Sequence, residues 1–282
     1  MDKSYKGNVK LASSNGEILQ TGACREWKST CTNAAGNYQS PVNMLSRQAV
    51  YDASLEDSAL TFHYSTSRET DILNNGHTLA VFPQAKQSVC GGPMPPGNDY
   101  ELAEICFHWG KSNSRGSEHT VNGKAFPMEV QLVHWNSSLY ESIKDAAGKP
   151  HGVVIVALFT QLGREHPSLR IITDNLEDVQ FKGRQKTITA PFNPSSLLPD
   201  PSLRDYWTYE GSLTAPPCCE GVTWVIFRYP LMISHTQLED FRRLRTITKG
   251  DQPRSGDDGM MVNNFRPTQP MADRVLRASF QS

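Results

Sequence analysis

Apolar residues recur at every second position in several stretches of this chain, the period of a strand with one face buried. The pattern is clearest in YELAEICFHW (100–109) and FPMEVQLVHW (126–135). LTFHYS (60–65), HTLAVFP (77–83) and VTWVIFRYP (222–230) are rich in β-branched and aromatic residues and predict further strands. GVVIVALFTQL (152–162) holds the longest apolar run, Val153 to Phe159, which is far too short for a membrane helix and suits a strand covered on both faces. Helical patterns are few: SSLYESIKDAA (137–147), PSLRIITDNLEDV (167–179) and HTQLEDFRRLRT (235–246), the last preceded by Ser234 as its N-cap. Proline and glycine are spread throughout, as many short turns require. These patterns predict a mostly β fold with short helices.

Composition narrows the partners. A hydrophobic fraction of 38% over 282 residues is enough for a core. The net charge of −1 carries no basic excess for nucleic acid. One local basic cluster, FRRLRTITKG (241–250), is read as a solvated helix face, with a docking patch for an acidic partner as the sharper alternative. No segment reads as a signal peptide or membrane span, so a cytoplasmic location, no membrane insertion and reduced cysteines are expected. Residues 1–23 are polar and predict a flexible tail, and 24–282 predict one domain, expected to be a monomer. Cys24 and Cys31 could bridge, but a reducing compartment disfavours it. Asn136-Ser137-Ser138 fits a glycosylation sequon that carries no weight without a secretory signal.

The stretch EICFHWG (104–110) is chemically unusual. Alternation puts Glu104, Cys106 and His108 on one face and Ile105, Phe107 and Trp109 on the other. The second face is core; the first lines up a carboxylate, a thiol and an imidazole. In EVQLVHW (129–135), Glu129, Gln131 and Val133 share a face, opposite Val130, Leu132 and His134. Pairing of the two strands would bring Cys106 and His108 beside Gln131. His119 and His134 are read as structural histidines.

QSPVNM (39–44), ILNNGHT (72–78), FHWG (107–110), GSEHTV (116–121), LVHWN (132–136), EGSLTAPP (210–217) and NFRPTQP (264–270) occur in the order seen in the α-class carbonic anhydrases. The resemblance runs from about Glu26 to Phe280. KAFPMEVQLVHWNSSLY, LLPDPSLRDYWTYEGSLTAPP and FRRLRT most resemble the inactive branch of that family, the carbonic anhydrase-related proteins of the type-eight form.

The resemblance implies the α-carbonic anhydrase fold, a large twisted and mostly antiparallel sheet with a central conical cavity. In active members three histidines hold zinc there, leaving an open position for water. The corresponding residues here are Cys106, His108 and Gln131, so only one histidine remains and no metal is expected. By the same resemblance Thr214 matches the threonine that orients the metal-bound hydroxide. Glu118 matches the glutamate that accepts its hydrogen bond, His77 the proton shuttle, and Glu129 the carboxylate that orients the third ligand. Glu104 stands where the enzymes carry glutamine. Val133 and Leu213 match the apolar wall, while Ile155 stands where a smaller valine is usual. The implied function is a catalytically inactive module that binds a protein partner, with the inositol trisphosphate receptor and calcium signalling as the family's example. The alternative is a weak or altered zinc-dependent carbonate dehydratase or esterase.

Overall fold

The computed structural model describes residues 32–281. The predicted tail at 1–23 and the Cys24–Cys31 pair lie outside the described residues. Thirteen strands form one sheet, and ten of them make its main path. The order along that path is Gln185–Ile188, Thr70–Asn74, Leu79–Pro83, Tyr100–Trp109, Met128–Asn136, Val153–Leu162, Glu220–Phe227, Tyr206–Ser212, Arg277–Ala278 and Val50–Tyr51. Neighbours on this path are antiparallel except Val153–Leu162 with Glu220–Phe227, and Arg277–Ala278 with Val50–Tyr51. The mostly β, mostly antiparallel fold class inferred from the sequence is thus the one observed.

The strand Val153–Leu162 sits mid-sheet, and Val153 through Thr160 are all buried, which explains its unbroken apolar run. The two sheet faces pack separate cores. One gathers Ile105, Phe107, Trp109, Val130 and Leu132 with Leu169, Leu238 and Phe241 from the helices. The other gathers Cys106, Val133, Ile155, Ala157, Leu213 and Trp224. The second face is the one that carries the chemically unusual residues.

A bulge sets that face. The pairing of Tyr100–Trp109 with Met128–Asn136 shifts register between Leu102 and Glu104. Tyr100 and Leu102 therefore pack with Ile105 and Phe107, two parities of one strand on one core. Strict alternation would have put Glu104 in line with Leu102; the extra residue turns it to the opposite face.

The helices are shorter than their sequence patterns. Only Ile143–Ala146 of 137–147 is helical, and Pro167–Thr173 is followed by a separate 3-10 turn at Glu177–Val179. His235–Arg242 begins as predicted: the Ser234 side chain accepts from the Gln237 N–H, and Gln237 accepts from Ser234 in return. Asn136 of the sequon is fully buried and donates to the His151 carbonyl, so it is not a glycan acceptor in this fold.

Candidate functional site

Cys106 stands directly opposite Gln131, and His108 opposite Glu129, across the paired strands. The Cys106 thiol lies 3.8 Å from Gln131 Oε1, and His108 Nε2 lies 3.3 Å from the same oxygen. The three residues that the sequence suggested would meet do meet. Among the described residues, no three or more His, Cys, Asp or Glu side chains are arranged to hold a metal ion.

Gln131 is the hub of the floor. Its Nε2 donates to Glu118 Oε2 and to Glu129 Oε1, both at 2.9 Å. The opposite amide orientation would press its oxygen against two carboxylates, so this network selects the one observed. Glu129 is fully buried, and its Oε2 accepts the backbone N–H groups of Glu118 and His119. Burial works to raise the Glu129 carboxyl. The charge and hydrogen bond of His119, the Gln131 amide and the charge of His108 outweigh it and hold the group below its ordinary value.

His119 is a structural strut, as expected. Its Nδ1 meets Glu129 at 2.9 Å, and its Nε2 meets the Tyr209 hydroxyl, which in turn donates to Ser40. His134 faces the other core against Tyr64, and burial lowers its pKa to about 3. Gly116 opens the turn that carries Glu118 and His119; a side chain there would collide with the Pro127 carbonyl. That explains the glycine of the GSEHTV motif.

His108 faces oxygens on both sides: Nδ1 lies 2.7 Å from the Asn264 carbonyl, while Nε2 faces Gln131 Oε1 and, at 3.5 Å, Glu118 Oε2. Asn264 was not singled out in the sequence beyond its motif. Its side chain accepts from Trp109 N–H and donates to the carbonyls of His77 and Phe107, tying the His77 loop to the histidine strand. Arg266 was likewise missed, because its backbone N–H, not its side chain, holds Glu118 Oε1.

One expected contact is replaced. The Thr214–Glu118 hydrogen bond that the resemblance implied is not made. Both oxygens of Glu118 are engaged elsewhere, by Arg266 and by Gln131 with His108 alongside. Thr214 itself is buried. His77 is half-buried, with Nδ1 lacking a partner, and burial followed by the nearby Lys182 lowers its pKa.

The Glu104 side chain makes no hydrogen bond or ion pair among the described residues; the residue is partly buried by surface area, and desolvation raises its pKa to about 7. Cys106 is buried, and first that burial, then Glu104, Glu118 and Glu129, hold its thiol far above the ordinary value. That direction favours the thiol over the thiolate at this buried position. Of the basic run, Arg242 is buried; its guanidinium donates to the Gly110 carbonyl, Asn113 and Glu239. It is part of the core packing and not of a docking patch.

A large mixed sheet with a polar floor sunk into its second core defines a class of protein. The family model described as eukaryotic-type carbonic anhydrase matches residues 23–280, and the chain belongs to that family. It is 58% identical over 249 residues to the carbonic anhydrase-related protein of Rattus norvegicus, covering 88% of this chain and 86% of the relative. The carbonic anhydrase-related protein of Homo sapiens matches to the same extent. Carbonic anhydrase 7 of Mus musculus is 44% identical over 259 residues, 91% of this chain and 94% of that protein. No helix among the described residues is long and apolar enough to cross a membrane.

Proposed function

We propose that this chain is a catalytically inactive carbonic anhydrase fold that works as a protein-binding module. The observation that carries this reading is the donor set at the floor. A catalytic zinc site needs three strong protein ligands and an open position. Here Cys106 carries its sulfur nearer the backbone than the far nitrogen of the imidazole it replaces, Gln131 is a neutral amide whose nitrogen is committed to two carboxylates, and His108 is the one imidazole left. The residues present do not fit zinc, and no hydration step is assigned through it. The identity to two carbonic anhydrase-related proteins supports the same branch.

The partner in this reading is a protein bound by the outer surface, with the inositol trisphosphate receptor as the candidate and calcium signalling in the cytoplasm as the setting. The test has two arms. Metal content of the purified chain is expected near zero, with no carbon dioxide hydration above buffer. Zinc near one per chain with chelator-sensitive hydration would establish the dehydratase alternative instead. In the second arm, the ligand-binding region of the receptor is expected to retain the chain in a pull-down, and no retention would remove that partner.

A further inference from the structure

A metal-bound imidazole has one N–H left to donate, whereas a primary amide has two. Gln131 uses both, one on Glu129 and one on Glu118. A histidine at this position could serve Glu129 and leave Glu118 to another donor. The exchange of histidine for glutamine thus does more than delete a ligand.

We infer that Gln131 is a clamp that closes the former metal position and diverts Glu118 away from Thr214. Three features support this. The amide bridges two buried carboxylates that would otherwise repel each other. Its oxygen receives His108 and the Cys106 thiol, so the polar atoms at the floor point at one another instead of at a shared empty centre. And Glu118 has no oxygen left facing only water, since Arg266 holds one and Gln131 with His108 holds the other. The orienting pair implied by the family is thereby undone by a buried residue on the neighbouring strand. Gln131 is in this sense a positioning residue, and the inference rests on the metal-free reading above.

The test is a double-mutant cycle in chelator, so that metal plays no part. Thr214→Val removes the hydroxyl and keeps the shape. In the native background it should leave melting within about 1 °C of the parent, because the hydroxyl does not hold Glu118. In a Gln131→His background, where the clamp is gone and Glu118 Oε2 is released, it should lower melting by about 2–4 °C, the shift expected for one hydrogen bond in a chain of this size. Equal effects in the two backgrounds would overturn the clamp. Should Gln131→His fail to fold, the native chain still decides. The Gln131 side-chain amide protons, assigned by their loss in Gln131→Met, should exchange with solvent more slowly than those of exposed glutamines. Exchange as fast as at exposed glutamines would overturn the inference. Zinc content of the native chain, measured separately, distinguishes failure of the metal-free reading from failure of the clamp.

Discussion

Cys106 and Gln131 face each other across adjacent antiparallel strands, with the thiol 3.8 Å from the amide oxygen. Both stand where the family resemblance places histidines. The variant Cys106→His with Gln131→His is therefore expected to take up about one zinc per chain and to gain some hydration activity, because three imidazoles complete a catalytic set. Either single change should recover much less. Metal analysis after dialysis against zinc, with hydration rates beside it, checks this. A folded double variant that stays metal-free would show that the site differs in more than its three ligand positions.

Glu104 predicts a pH dependence. Burial lifts its carboxyl from 4.5 to about 7 in the folded chain. The folded state thus holds its proton longer than the unfolded state does. The favourable contribution is complete below about pH 4.5 and is lost as pH rises through about 7. Glu104→Gln removes the ionisation. Relative to wild type it should gain up to about 2 kcal/mol between about pH 5.5 and 8, less whatever residual solvent exposure screens. Urea unfolding of both proteins at the two pH values measures it. A pairing of Glu104 with His108 would have the opposite sign, with Glu104→Gln destabilising most at low pH, and the structure gives His108 other partners.

The basic run divides into a core residue and surface residues. Arg242→Glu should destabilise the fold by about 3 kcal/mol or more, since it buries a carboxylate against the Gly110 carbonyl and Glu239. Arg243 is exposed and paired with Asp240, and Arg245 donates to the Asp258 carbonyl. Arg243→Glu with Arg245→Glu should leave stability within about 1 kcal/mol and weaken capture by the receptor fragment. His77→Ala should leave capture unchanged. Full capture by the arginine variant would remove this face from the candidate interface.

Ser234→Ala tests the helix that carries Arg242. It deletes the side-chain acceptor for the Gln237 N–H and should cost about 1 kcal/mol. Thermal melting reads this as a fall of about 2–4 °C, and an unchanged melting temperature would show that the capping box contributes nothing to the folded chain.

Much was legible from local patterns. The long strands, the cap at Ser234 and the facing of Cys106 and Gln131 follow from period-two alternation and from side-chain chemistry carried by single residues. The helices are shorter than their patterns, because 137–147 is apolar enough for a helix but only Ile143–Ala146 adopts one. The roles of Asn264 and Arg266 left no local signal, since they act from more than 140 positions away along the chain, through a carboxamide and a backbone N–H.

The sequence by itself determined the family, the strand faces and the loss of histidine at two of three positions, because each depends on which residue stands where. Only the tertiary structure decided what became of the groups left behind. The meeting of two strands and a distant turn gave Glu118 to Gln131 and not to Thr214. A buried carboxylate takes whichever donor the packing brings within about 3 Å, and that distance exists only once the sheet has formed.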